Sequence, residues 1–214
     1  MMDTEQKIEE FFSNYPSHTY SKGQILLEPG TNPSGVIYIY HGLVRQYDIA
    51  DNGDEIVVNV FRPGAHFPMT WAINGEDNVW YFDAIDETKV AIAPAENTLQ
   101  LLKDNPDVMF LYLKRLCSGA SGQQRRMAHL MGGSARSRVL FELIVEFKRF
   151  SKSDETSLSI NVSESELAAK AGLSREAVNR ELGALKSKGI IKREYKTITI
   201  SNLDKLSAEL GQSI

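Results

Sequence analysis

Two periods of apolar spacing divide this chain. From Ser21 to Pro94 short runs alternate apolar and polar residues, cut by Lys22-Gly23, Pro29-Gly30, His41-Gly42, Asn52-Gly53 and Pro63-Gly64. That alternation predicts strands near 24–28, 36–41, 43–49, 55–61, 79–85 and 88–93. D-N-G-D at 51–54, between two alternating runs, is the strongest hairpin signal in the chain. Many short strands with evenly placed glycines predict a small barrel or jelly roll. On either side the period is helical. Residues 3–15 predict a short amphipathic helix with Ile8, Phe11 and Phe12 inward. A long helix starts near Asn105-Pro106-Asp107, where a proline costs nothing in the first turn, and runs to Met131. Gly132, Gly133 and Ser134 interrupt it as a hinge, and Ser134 caps a helix over 135–150 that turns Val139, Leu140, Leu143, Ile144 and Phe147 inward. A polar loop at 151–157, a strand at 158–162 and a last short helix with Leu203, Leu206 and Leu210 complete the pattern.

The long helix carries a second pattern. Met109, Leu113, Leu116, Ala120, Gln123, Met127 and Leu130 recur at alternating spacings of four and three, a heptad seam over three repeats. Phe110 and Leu111 are left to pack on the strands. A helix of about 40 Å with such a seam predicts a parallel dimer interface, and Ser118-Gly119-Ala120-Ser121-Gly122 would let two backbones approach closely. Gln123 and Gln124 then set register, and Cys117 fills the interface as a small apolar residue.

Residues 163–185 organise the rest. Ser163 followed by Glu166 is a capping box at one helix start. Ala171-Gly172-Leu173-Ser174 ends that helix, with Gly172 in the left-handed conformation and Ser174 capping the next. Leu167, Ala168, Ala171 and Leu173 are spaced to pack against Val178, Leu182 and Leu185, leaving Arg175, Glu176, Asn179 and Arg180 facing outward. The major groove admits such a helix: Arg donates two hydrogen bonds to guanine, Glu accepts from cytosine, and Asn pairs with adenine. A hairpin over 190–200 follows as a wing, with Lys192, Arg193 and Lys196 in reach of backbone phosphates. Ser163, Ser165 and Ser174, at the helix starts, are further phosphate-contact candidates.

S-R-E-A-V-N-R, residues 174–180, resembles the recognition helix of the cAMP-receptor-protein/fumarate-nitrate-reduction (CRP/FNR) family of bacterial transcription factors. The resemblance extends over nearly the whole chain. It implies an α+β protein with a cyclic-nucleotide-binding-like β-roll (a double-stranded jelly roll) at 1–104, a dimerisation helix at 105–131 and a winged helix-turn-helix at 132–214. It also implies double-stranded DNA, a second copy of the chain and RNA polymerase as partners. The Arg-Glu-x-x-x-Arg pattern kept as Arg175, Glu176 and Arg180 implies base contacts in a TGTGA-like half-site, with Asn179 where the cAMP-receptor branch has glycine. The effector residues depart from the family. The ribose-binding Gly-Glu pair falls on Pro68-Met69 and the phosphate-binding Arg-Ser pair on about Asn78-Val79, leaving no cation for a phosphate. Cyclic-nucleotide binding is therefore not expected. Met69, Trp71, Trp80, Tyr81 and Phe82 stand there instead, either filling the roll or lining a pocket for a less polar effector, with Gln123 and Gln124 where the family touches the base. In the wing, the family's usual glycine is Tyr195, and Glu164 stands where a basic residue would help phosphate binding.

Charge and cysteine usage sharpen this. The formal net charge is −4, but residues 134–214 hold 14 Lys and Arg against 11 Asp and Glu, so the mildly basic part is the one with the helix-turn-helix. One cysteine excludes an internal disulfide framework and a four-cysteine iron–sulfur site. With no twenty-residue apolar run and no leader, a soluble cytoplasmic protein without membrane attachment or cofactor is expected. A β-roll also serves cupin-type metalloenzymes. His18, His41, His66 and His129 lack metal-ligand spacing, and no nucleophile elbow, phosphate loop or GxGxxG occurs, so catalysis and a metal are not expected. The other alternative is a small-molecule sensor acting through a protein partner.

Overall fold

The computed structural model describes residues 3–51, 53, 55–151, 156–194 and 197–211, and the chain divides into two compact units, Met1–Ser118 and Gly119–Ile214. In the first unit the elements run α1 (Thr4–Ser13), β1 (Ser17–Tyr20), β2 (Ile25–Leu27), β3 (Val36–His41), β4 (Val44–Ile49), β5 (Glu55–Phe61), β6 (His66–Phe67), α2 (Met69–Asn74), β7 (Tyr81–Ala84), β8 (Thr88–Ala93) and α3 (Ala95–Asp104). The long helix α4 (Pro106–Gly132) follows. Two antiparallel sheets, ordered β1-β8-β3-β6 and β2-β7-β4-β5, make the roll. Strand β3 shows why its sequence is almost continuously apolar. Ile37 and Ile39 join Leu27, Val44, Phe67, Phe82 and Val90 between the sheets. Val36 and Tyr38, on the other face, meet Ile8, Phe12, Met69, Leu102 and Val108 from the helices. A sheet covered on both faces needs apolar residues at every position.

Elements forecast from alternation appear with small shifts. The β4–β5 hairpin pairs Val44 with Phe61 and Ile49 with Glu55, and Gly53 takes φ 85° in its turn, whereas Asn52 and Asp54 lie outside the described residues. The strand expected at 79–85 begins only at Tyr81. Buried Asn78 donates to the carbonyls of Glu28 and Trp80 and accepts from the Trp80 amide, so the backbone there is tied to a side chain. Strands β1 and β6 and helices α2 and α3 were not forecast. M-T-W-A-I, expected either to fill the roll or to line a pocket, is helical, ended by Gly75 with φ 71°. Of Phe110 and Leu111, expected to pack on the strands, Leu111 does so beside Val108 and Tyr112, whereas Phe110 is 69% exposed.

The second unit comprises the end of α4, then α5 (Ala135–Phe150), β9 (Leu158–Asn161), α6 (Glu164–Ala171), α7 (Arg175–Ser187), β10 (Ile191–Glu194), β11 (Thr197–Ile200) and α8 (Leu203–Glu209). Its core joins Leu140, Leu143, Ile144 and Phe147 of α5 to Leu167, Val178, Leu182 and Leu185, closed by Ile198 and Ile200 of the β10-β11-β9 sheet and by Leu206. Each such side chain contributes roughly 1.5–3 kcal/mol on burial, so this unit has a core of its own. The break after α4 requires glycine: a Cβ on Gly133 would stand 2.5 Å from the His129 carbonyl oxygen. Among the described residues no helix is long and apolar enough to cross a membrane.

Candidate DNA-binding site

Local chemistry fixes the α6–α7 corner. The Ser163 hydroxyl accepts from the Glu166 amide at 3.1 Å and starts α6. Gly172, at φ 60°, ends it in the left-handed region open to glycine, and the Leu173 amide returns to the Ala168 carbonyl at 3.0 Å. The Ser174 hydroxyl accepts from the Ala177 amide at 3.3 Å and starts α7. Leu167, Ala168, Ala171, Val178, Leu182 and Leu185 are buried as the spacing requires, and Arg175, Glu176, Asn179 and Arg180 are exposed together on the opposite face. Arg180 has a side-chain exposure of 71%. The Glu176 carboxyl is held below the usual range by its own backbone amide, the Ser174 hydroxyl and the Arg175 charge, so it stays an ionised acceptor. Ser165 is half-buried on the first turn of α6.

The wing differs from expectation in one respect. Lys192 is exposed, while Tyr195 and Lys196 lie outside the described residues. Arg193 is not a free phosphate ligand: its guanidinium donates to Asn179 Oδ1 at 2.7 Å and pairs with the Glu164 carboxylate. Glu164, which looked like an obstacle to phosphate, is thus this arginine's counter-charge. Sequence reasoning also missed Lys170. It is 4% exposed on α6, with its ammonium 2.8 Å from Glu166 and 3.2 Å from Glu146 of α5. The i,i+4 spacing of Glu166 and Lys170 was the available signal.

On α4, Met109, Leu113, Leu116 and Met127 are exposed at 44%, 49%, 55% and 62%. Ala120, Gln123, Gln124 and Cys117 are exposed too, and Leu130 is half-buried. Around Gly132, Gly133 and Ser134 the break is braced. Arg126 grips Glu142 of α5 at 2.9 and 3.2 Å, His129 Nδ1 shares a hydrogen with the Ser137 hydroxyl at 3.0 Å, and Arg138 donates to the Gly133 carbonyl at 3.0 Å.

Met69, Trp80, Tyr81 and Phe82, expected to fill the roll or line a pocket with Trp71, do not come together in one cluster. Met69 lies in the core beneath α1, Phe82 and Trp80 belong to the separate core between the sheets, and Tyr81 stacks on Tyr47 at 5.2 Å. The physical reason is the pleat: neighbours along β7 point to opposite faces, and α2 turns Met69 away from both. A depression of about 310 Å³ opens elsewhere, lined by Glu5, Glu9, Tyr38, Tyr40, Gly64 and Arg115 among others. Among the described residues no three metal-ligating side chains converge.

A β-roll, a long helix and a capped helix-turn-helix with a three-stranded wing define the class of two-part transcription regulators. The chain matches the cyclic nucleotide-binding domain over residues 17–105 and the Crp-like helix-turn-helix domain over 137–209. It is 26% identical over 186 residues to the global nitrogen regulator of Nostoc sp., covering 85% of this chain and 83% of that one. The transcriptional regulator SdrP of Thermus thermophilus is 25% identical over 198 residues, covering 91% and 94%. A crystal structure of a CRP/FNR-family regulator, also from Thermus thermophilus, superposes with a TM-score of 0.72 at 22% identity, covering 92% and 99%. The chain belongs to the CRP/FNR family and is a DNA-binding transcription regulator, not an enzyme.

The residues present do not fit the cyclic nucleotide for which the matched domain is named. Phe61, Phe67 and Phe82 stack across the inside of the roll with ring centroids 4.6 and 4.9 Å apart. Asn78 is spent on backbone groups, and Val79 is 60% exposed with no charge to offer.

Proposed function

We propose that this chain works in the cytoplasm as a homodimer that reads a two-fold symmetric, TGTGA-like site. In this reading Arg175, Glu176, Asn179 and Arg180 face base edges, while Ser163, Ser165, Ser174, Lys192 and Lys196 position the helix on phosphates. The seam of α4, Met109 through Leu130, meets its counterpart in a second copy and sets the two recognition helices one helical turn, roughly 34 Å, apart. Gly132, Gly133 and Ser134 are the hinge through which the roll biases the reading heads, and RNA polymerase is the further protein partner. Any effector is something other than a cyclic nucleotide. The observation that carries the reading is the outward face of α7, held by two caps and a fully buried stripe. Selection from a random duplex pool tests it. The expected product is a palindrome with half-sites one turn apart, and Arg180→Ala loses selectivity worth about 1–3 kcal/mol at one base pair. Recovery of an asymmetric motif, or of none, overturns it.

A further inference from the structure

The wing reaches back to the reading face, and the hydrogen-bond chemistry of that contact has a direction. A guanidinium carries donors only. The Asn179 atom 2.7 Å from Arg193 Nη1 is therefore the carbonyl oxygen, and the amide NH2 points away from the wing. On its far side Arg193 is paired with Glu164 on the first turn of α6, so three elements of the second unit converge on one guanidinium. Its side chain is 21% exposed and Glu164's 26%, whereas Asn179 remains exposed.

We propose that Arg193, anchored by Glu164, is a positioning residue that turns the Asn179 carbonyl inward, so that Asn179 offers duplex DNA a lone NH2 donor, which refuses a cytosine edge and forgoes the two-bond preference for adenine. This rests on the DNA-reading role of α7 proposed above. The familiar asparagine–adenine pair needs both halves of the amide: the oxygen accepts from adenine N6 while the nitrogen donates to N7. Here the oxygen is engaged by a charged donor. A lone NH2 meets an acceptor at guanine N7 and O6, at thymine O4 and at adenine N7, whereas cytosine shows only its N4 donor, so adenine loses the second bond that would single it out and cytosine is refused. Selectivity at that base pair thus depends on two residues that need not touch a base. Because Glu164 already balances the Arg193 charge, Arg193 adds little to the attraction for phosphate.

The experiment uses the full chain and a random duplex pool, comparing wild type with Asn179→Ala, Arg193→Ala and the near-isosteric Glu164→Gln, with salt titrations on the best site. Wild type is expected to disfavour cytosine at one base pair of the half-site by roughly 3- to 10-fold, the range for a single net hydrogen bond, without preferring adenine to guanine or thymine. Asn179→Ala flattens that position alone. Arg193→Ala and Glu164→Gln free the Asn179 oxygen and turn the same position towards adenine, although their unpaired charges move the overall affinity in opposite directions. The inference is overturned if Arg193→Ala weakens all sequences alike and keeps the wild-type base profile at that position. A wild-type preference for adenine at the position that Asn179→Ala flattens overturns it too. Those results leave α7 as the reader intact, whereas a wild-type pool without any motif removes the DNA-reading role and this inference with it.

Discussion

A neutral imidazole walled in by aromatic rings cannot charge without cost, and His66 is so placed. Its ring centroid lies 5.5 Å from that of Tyr112 and 6.4 Å from that of Phe12, and its Nδ1 has no hydrogen-bond partner among the described residues. Burial, and next the Arg115 guanidinium, push its pKa down to about 4. An unfolded histidine titrates near 6.5. Between those values the unfolded chain binds a proton that the folded chain refuses, so stability falls as the pH drops. From pH 7.5 to pH 5 the loss from this one group comes to about 2 kcal/mol. Urea unfolding at the two pH values measures it, and His66→Phe is expected to remove that part of the difference. An undiminished pH dependence in the variant would assign the effect to other groups. Tyr38 belongs to the same environment: burial, then the carboxylate of Glu9, raise its hydroxyl to about 12, so it stays protonated throughout this range.

At the scale of elements, the break between α4 and α5 gives the next prediction. Glu142 is 1% exposed, and the guanidinium fork of Arg126 meets both its oxygens across that break. Truncating one partner of a buried pair typically costs about 3 kcal/mol. Arg126→Ala is therefore expected to destabilise the second unit by that order in urea unfolding, and Arg125→Ala, one position away, by far less. Sequence spacing announced the break through Gly132-Gly133-Ser134 but not the brace, because an arginine and a glutamate sixteen residues apart carry no periodic signature. The same contrast runs through the molecule. Helix α7 was legible because caps, a left-handed glycine and an apolar stripe are all local signals. Helix α3 was not, since only Thr98 and Leu102 are buried along it and its other apolar residues sit half-covered. The wing's Lys192 and Arg193 read as equivalent cations, and only the fold distinguishes them, by bringing Glu164 and Asn179 to the second and not the first. Met69 is parted from Trp80 and Phe82 for the same reason: proximity in sequence says little about which side of a sheet a side chain occupies.

For the whole molecule the decisive surface is α4. Met109, Leu113, Leu116 and Met127 are exposed at 44%, 49%, 55% and 62%, all on one helix. Scattered apolar residues on a surface need no explanation, but a row of them at heptad spacing does. Phe110 widens the row beyond the positions that spacing alone picked out. If a second copy covers it, the two recognition helices are tethered, and the second half-site is bound at the effective concentration the tether sets, worth about 10²–10⁴ in affinity. Leu113→Asp places a charge in the centre of that contact while disturbing little of the isolated chain, since the side chain is already half-exposed. The expected outcome is a monomer by sedimentation, with unchanged helix content by circular dichroism and affinity for a full palindrome lowered at least a hundredfold, while an isolated half-site is bound as weakly as before. Dimers that persist in Leu113→Asp and in the double variant Leu113→Asp/Leu116→Asp would move the self-association to another face. In that case α4 would be no more than a connector, and the spacing of half-sites would have to be set by some other surface of the chain.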